Sequence, residues 1–571
     1  MYTQSYRHFI NTRLLLVVFL ATLSACGSTR PYTSGPVKTF DPDNQHIPEP
    51  PETEEHFEWE SLYLSTFYQV EKNLDLGRLF QNIGRLIGIT GRDEAKNVNV
   101  LDEVPNSSWY THRHYTDPMT SRELKQGPVK PGETPDTSRA IAVIRGKSDG
   151  VTPGFTIKDA RDNIFIIKID QPDYPELQSS SEVIATNIFY AAGYFVPQNS
   201  ITYLDPQQLF IDEDATVTKD GKEQPMTAAD LQEILNKAYI RGDGKVRVLA
   251  SKFVDGKPIG PWNFMGLLKG DPNDRVPHED RREVRGLRVL ASWLNDTDRR
   301  HANTMAVYIN EEGNNYIRHY LLDMGSTLGT TGNTLKQTKR GQEYRYDPRY
   351  MGLLYASLGL YVKPWARPEA KNRPYYPAVG YYEAELFDPG NWVTSYPNPA
   401  FEKATPRDGF WGAKIVMSFT DDDIRALVEA GQISDPNAAG YLTETLIKRR
   451  DKIGEYWFGR MNPLDKFDVH KTGNQVRLSF SDLSVEGGLA EPAAHRYLYS
   501  VSVDGKPLFR NRIAEEPEIV FSTGTKAGPK QIVRVELYTL REYRDGRGKK
   551  IDVYVELQNR NARLVGIDRE G

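Results

Sequence analysis

Apolar positions recur at helical spacing between Leu62 and Leu86, where Leu64, Phe67, Tyr68, Leu74, Leu79, Phe80, Ile83 and Leu86 predict one or two helices ending near Gly88 and Gly91. From 138 to 170 the period shortens to that of strands. Ala140–Ile144, Gly154–Ile157 and Ile164–Ile169, separated by Gly146, Gly150 and Gly154, predict a small sheet. Ser179-Ser180-Ser181-Glu182 then predicts a helix start, with serines suited to capping, Glu182 in the first turn and a stop at Gly193. A strand is expected over Val246–Val254, a helix over Arg282–Leu294, and further helix over 412–458 with Asp421–Asp423 at one start. After Pro463 alternation dominates: Val476, Leu478 and Phe480, then Tyr497 to Val503, Ile532 to Leu540 and Ile551 to Leu557, with Asp504-Gly505 and Asp545-Gly546 as turns. Spaced strands over about a hundred residues predict a β-sandwich. No internal repeat is evident.

The 571 residues are 26% charged and 39% hydrophobic, which excludes a polytopic membrane protein and a disordered chain and leaves length for several domains. A formal charge of −5 offers no global basic field, so no nucleic-acid partner is expected. The chain has one cysteine, hence no internal disulfide, Cys-based zinc site or iron–sulfur cluster. It closes Leu23-Ser24-Ala25-Cys26, after Arg7, Arg13 and an apolar run too short to span a bilayer. This resembles the bacterial lipobox, which implies cleavage of residues 1–25 and a lipidated Cys26. Gly27 in place of Asp then points to the outer membrane, facing the periplasm. Residues 26–60 carry Pro31, Pro36, Pro42, Pro48, Pro50 and Pro51 and read as a tether.

Four pieces carry candidate chemistry. Lys168 ends an apolar strand, and Glu182 follows fourteen residues later on a helix. Asn303 stands five residues after Asp298 in Asn295-Asp296-Thr297-Asp298-Arg299-Arg300-His301-Ala302-Asn303, and Asp323 precedes Met324-Gly325 after a strand. Phosphoryl transfer needs these types: a lysine to neutralise phosphates, a carboxylate to hold it, a carboxylate to orient the acceptor hydroxyl, and a carboxamide with a second carboxylate for magnesium.

In that order the pieces resemble the protein-kinase-like fold, closest in wording to atypical kinases such as the HipA type, the lipid kinases and the secreted or spore-coat kinases. The resemblance covers about 140–460 and implies a bilobal α+β domain, with a small β-rich lobe and a helical lobe, ahead of the β-sandwich. The division expected is 1–25 signal, 26–60 tether, 61–139 a helical extension packed on the core, 140–463 kinase-like domain and 464–571 β-sandwich. It further implies Mg2+ and ATP as cofactors. Lys168, Gly150, Gly154 and Phe253 would lie at the nucleotide, Glu182 would pair with Lys168, Asp298 would act as base, and Asn303 and Asp323 would hold the metal. Val248–Phe253 would be the edge strand leading to a hinge at Val254-Asp255-Gly256. The hairpin at 146–154 lacks Gly-x-Gly-x-x-Gly spacing, and Asp296 competes with Asp298 for the base role.

Other motifs fail. Gly146-Lys147-Ser148 has Ile141 where a P-loop needs glycine; His278-Glu279 is followed by Arg282 where a zincin needs histidine; the serine of Gly325-Ser326-Thr327-Leu328-Gly329 stands one position early for a nucleophile elbow. His112 and His114 lack a third ligand nearby. A non-catalytic class stays open: an envelope-binding or structural lipoprotein, its 32 Tyr and 8 Trp, with Tyr375-Tyr376 and Tyr381-Tyr382, offering faces for a glycan or an envelope protein. Scarcity of ATP in the periplasm keeps that alternative alongside catalysis. Carboxylates also permit a glycosidase without indicating one.

Overall fold

The computed structural model describes residues 36–51, 64, 68, 93–147, 153–219, 222–368, 373–523, 530–541, 548–559 and 561–571. Cys26, the 1–25 segment and Gly150 lie outside them, as does the Leu62–Leu86 run apart from Leu64 and Tyr68, both buried. Between 93 and 139 the only helix among the described residues is α1, Ser121–Gln126, so the extension expected to be helical runs there mostly as loop. Its Trp109, Tyr110 and Leu124 enter the main apolar core. No helix of the described residues is long and apolar enough to cross a membrane.

The strand periods place the first sheet. It contains β1 (Ile141–Lys147), β2 (Gly154–Lys158), β3 (Ile164–Ile169), β4 (Asn199–Leu204), β5 (Leu209–Lys219), β6 (Lys222–Pro225) and β7 (Val246–Lys252) in the order β4-β7-β3-β2-β1-β5-β6. All neighbours are antiparallel except β1 and β5. On β3 Phe165, Ile167 and Ile169 are buried while Ile166 is exposed, so Lys168 shares the opposite face. The buried face packs under α3 (Ala228–Leu235) through Leu231, Ile234 and Leu235.

The strand expected at the edge, β7, lies inside, between β3 and β4. Val246 to Ala250 are buried in succession, because α2 (Leu177–Ala191) covers the face that α3 does not. Helix α2 also starts earlier than its serines suggested. Its N-cap is Glu176, in the left-handed region and without a side-chain cap, and Glu182 is its sixth residue rather than part of the first turn. Capping comes instead from Asp170, just past β3, which accepts from the Gln178 and Ser179 amides at 3.1 and 2.9 Å. Ser179 and Ser180 face inward and accept from Arg247 of β7 at 2.9 and 2.8 Å.

A second sheet, β10-β9-β8, comprises β8 (Lys257–Gly260), β9 (Thr304–Glu311) and β10 (Asn314–Leu321). Below it lie α4 (Arg282–Trp293), the short α5 (Pro348–Ala356) and α6 (Pro399–Lys403), then α7 (Pro406–Met417), α8 (Asp421–Ala430) and α9 (Pro436–Phe458). Helix α4 is buried on nearly every side, so its charges must be paired. Arg282 lies between Asp102 at 2.6 Å and Asp408 at 3.1 Å. Tyr382 is core, its hydroxyl donating to Trp293 O, whereas Tyr375 is exposed. His112 and His114 spend ring nitrogens on the carbonyls of Val104 and Ser418.

Beyond α9 two antiparallel sheets follow. One is β11-β12-β15 (Leu464–Thr472, Gln475–Asp482, Glu518–Ser522). The other is β14-β13-β16-β17-β18 (Lys506–Ala514, His495–Val503, Gln531–Arg541, Ile551–Gln558, Asn561–Arg569). The short α10 (Leu483–Glu486) follows β12, and inward residues of both sheets share one apolar cluster. Ion pairs join this region to the helices: Arg569 reaches Asp102 at 3.4 Å and Asp465 at 2.8 Å, and Lys414 of α7 reaches Asp465 at 2.8 Å.

Candidate functional site

Strand pairing assembles the site. In the β9–β10 hairpin Thr304 stands opposite Leu321, so Asn303, just before one strand, and Leu322-Asp323, just after the other, must be neighbours. The Leu322 amide donates to Asn303 O at 2.9 Å. Asp323 adopts a left-handed conformation, φ 50°, and its Oδ1 accepts from the Gly325 amide at 3.2 Å. From the first sheet Lys168 Nζ reaches Asp323 Oδ1 at 3.0 Å and the Glu182 oxygens at 2.9 and 3.1 Å. A Cβ on Gly325 would lie 3.1 Å from Asp323 Oδ1 and 3.3 Å from Glu182 Oε2, so glycine lets the two carboxylates approach the lysine together.

The two carboxylates respond differently to that one cation. Lys168, with burial working against it, holds Asp323 down at about 2; the Asp323 side chain keeps 52% of its surface open. Glu182 is 3% open, and burial pushes its pKa up despite Lys168. Burial alone would lower Lys168, but Asp323 and Glu182 outweigh it and hold the ammonium charged.

The loop from 295 to 303 separates its two acids by environment. Asp296 is fully enclosed, 2.6 Å from Arg299, and burial raises it to about 6. Asp298 stays partly open, paired with Arg300 Nε at 3.0 Å and Asn303 Nδ2 at 3.1 Å. Only Asp298 is therefore accessible to a reacting group. Arg299 also donates to the carbonyls of Leu322 at 2.8 Å and Asp323 at 2.5 Å, clamping this loop to the Asp323 turn. Lys336, also buried, donates to Asn295 O and Ser326 O and links the same two loops from the other side. Burial, against the pull of Asp296 and Asp298, draws its pKa down to about 7. Sequence reasoning missed both cations. Arg299 carried a faint signal, three residues after Asp296, whereas nothing local marked Lys336.

Gly154 opens β2 directly across from Lys168, where a Cβ would meet Ile167 O at 2.2 Å. The close approach of two strands requires glycine there. Gly154→Val is expected to cost about 1–3 kcal/mol by overpacking, read as a lower urea midpoint. Gly242→Val, in open space, should leave the midpoint nearly unmoved; equal effects would show that the contact at Gly154 relaxes freely. Phe253, exposed at the end of β7, donates its amide to Ile164 O, four residues and about 13 Å along β3 from Lys168.

The donor set suits a hard cation. Asn303 Oδ1 and Asp323 Oδ2 take no hydrogen bond from any described residue, while the other polar atoms of both side chains are engaged. Two hard oxygens of this kind match the preference of magnesium, which keeps water and phosphate in the rest of its shell. No group of three or more His, Cys, Asp or Glu among the described residues is arranged to hold a metal.

No protein-family model matches the sequence, and no curated protein matches it. Among solved structures the chain is weakly similar to the Golgi casein kinase, 11% identical over 74% of this chain and 96% of that chain, with a TM-score of 0.28. It is similar to the same degree to the Golgi casein kinase with Mn/ADP bound, 10% identical over 74% of this chain and 94% of that one, with a TM-score of 0.27.

Proposed function

We propose that the chain is an atypical kinase, a phosphotransferase taking phosphate from a magnesium nucleotide, anchored to the cell envelope through a lipid on Cys26. One observation supports the catalytic part above the others. Lys168 is held by Glu182 and Asp323 while Asn303 and Asp298 are brought to the Asp323 turn by the β9–β10 hairpin and Arg299. Five side chains from four separate segments meet in the order that phosphoryl transfer needs.

Lys168 would neutralise nucleotide phosphates, and Glu182 keeps it aimed. Asp323 is ionised at any physiological pH and with Asn303 supplies hard oxygens. Magnesium held by Asn303 and Asp323 would supply charge neutralisation at the transferring phosphoryl group. Asp298 orients the acceptor hydroxyl and takes its proton. Arg299 and Lys336 fix the two loops so that these groups need little rearrangement.

The experiment is a thermal shift on the mature protein with magnesium and ATP, beside Asp323→Ala. Ligand at a hundred times its Kd adds about 2.7 kcal/mol, a rise of a few degrees expected for the wild type and absent from the variant. A wild type that does not shift leaves the second reading, a non-catalytic envelope-binding scaffold. The pairing of Asp298 with both Arg300 and Asn303 favours that reading, since an acceptor must displace one of them.

A further inference from the structure

Between the Asp323 turn and α6 the chain sends out a segment, 339–368, unlike the rest of the surface. Its helix α5 buries none of its nine residues, although Tyr350, Met351, Leu353, Leu354 and Tyr355 belong to it. A helix this apolar gains nothing from water on every side. Past its end Leu358 and Gly359 are both left-handed, at φ 52° and 82°. The Gly359 amide donates to Leu354 O at 2.8 Å, and the Tyr361 amide to Ser357 Oγ at 3.0 Å. This bonded tip presents Leu358, 91% exposed, and Leu360, 84% exposed. A leucine rarely takes a left-handed backbone, so the turn holds an apolar side chain outward against local preference. Behind the tip Trp365 is buried edge-on against Tyr350 at 4.9 Å, with Lys363 over both rings.

Charge identifies the occupant. The segment has six Lys and Arg against two acids, in a chain of net charge −5. Both acids are already neutralised, Asp347 by Arg349 and Glu343 by Lys363. Lys339, Arg345 and Arg367 remain exposed in the segment that carries this apolar, tyrosine-bearing tip, with Arg345 also donating to Tyr396 Oη at 2.7 Å. Apolar side chains ringed by aromatics and cations are the composition that partitions into the boundary between lipid phosphates and acyl chains.

We propose that residues 346–362 form a membrane-docking element that seats Tyr355, Leu358, Leu360 and Val362 in the interface of an anionic bilayer, with Lys339, Arg345 and Arg367 on the lipid phosphates. The base of the segment is tied to the loop carrying Asp298. Arg345 N donates to Ser395 O, and Ser395 N donates to Thr297 O, both at 2.7 Å. Docking therefore brings the candidate site to the lipid surface. The inference stands independently of the phosphotransfer reading.

The single cysteine supplies the test. In the full chain, Cys26→Ser combined with Leu358→Cys leaves one thiol for a solvent-sensitive fluorophore, and Cys26→Ser with Lys506→Cys places the same probe on exposed β14. With phosphatidylcholine vesicles containing phosphatidylglycerol, the probe at 358 should shift to the blue and be quenched by spin-labelled lipid, while the probe at 506 stays aqueous. Partition should be at least about tenfold weaker on pure phosphatidylcholine, since three cations are lost from the balance. In a Cys26→Ser background with Leu353→Cys as the probe, adding Leu358→Asp and Leu360→Asp should abolish the shift with the circular dichroism unchanged. Two results overturn the proposal. One is a chain bound to vesicles whose 358 probe remains in water, bound through other residues. The other is a blue shift without lipid that grows with protein concentration or with an added protein, which would make the tip a protein interface.

Discussion

Lys168→Met is expected to abolish nucleotide binding, to lower phosphotransfer by at least about a hundredfold, and to destabilise the fold as well. The second effect follows from Glu182, enclosed at 3% exposure and left without its cation. Removing one member of a buried pair costs about 3–5 kcal/mol, and the half-open Asp323 and the raised pKa of Glu182 reduce this to about 2 kcal/mol. The pH dependence has a definite sign. An acid whose folded pKa lies above its unfolded value favours the folded state at low pH, and that preference is lost as pH rises through the folded pKa. The variant should therefore approach wild-type stability as pH falls and fall further behind it as pH rises. The double variant Lys168→Met/Glu182→Gln separates the two roles. Urea titration should show stability recovered while nucleotide binding stays absent. Recovery of binding with the neutral pair would mean that Lys168 serves the fold alone.

Arg282→Met is expected to have the largest effect on stability, about 3–5 kcal/mol, and none that is specific to the candidate site. Arg282 satisfies Asp102 and Asp408 where all three side chains are buried, and Asp102 in turn holds Arg569 of the last strand. The methionine would take the nearest cation from both carboxylates, leaving Asp102 with Arg569 alone and Asp408 with Arg285 and its Thr405 contacts. The same network makes the wild type acid-sensitive. Burial by itself would raise Asp102 and Asp465, but Arg282 and Arg569 in the first case, and Lys414 and Arg569 in the second, outweigh it and hold both low. Acids with depressed folded pKa values contribute stability above their unfolded value of about 4, and lose that contribution as pH falls through the folded value. Urea midpoints at pH 7 and pH 3 should converge for the variant relative to the wild type. A constant difference between them would remove the network from the acid response. With one cysteine in the chain, such pairs take the place of disulfides in joining the C-terminal sheets to the helices.

The apolar run Ile164–Ile169 located β3 with Lys168 near its end, but four apolar residues in succession hide which face is covered, and only burial put Lys168 with the exposed Ile166. The acid after β10 and the Asp298 to Asn303 spacing were equally legible, being local to one loop each. The start of α2 was misread because its cap, Asp170, belongs to a different segment and frees the serines to face Arg247. The position of β7 was misread because an unbroken buried run reports that both faces are covered, without saying by which neighbours.

The sequence by itself determined the period of the longer strands and helices and the chemical types available: one lysine, one carboxamide and three carboxylates in an order that phosphoryl transfer uses. Only the tertiary structure decided that Lys168 and Asp323, 155 residues apart, lie 3.0 Å from each other. It also decided that Asp296 is enclosed while Asp298 is open, that Arg299 and Lys336 bind the two loops together, and that α5 stands uncovered. Periodicity reports whether a side chain is covered. Distance and titration depend on what covers it, and those partners arrive from distant segments through packing.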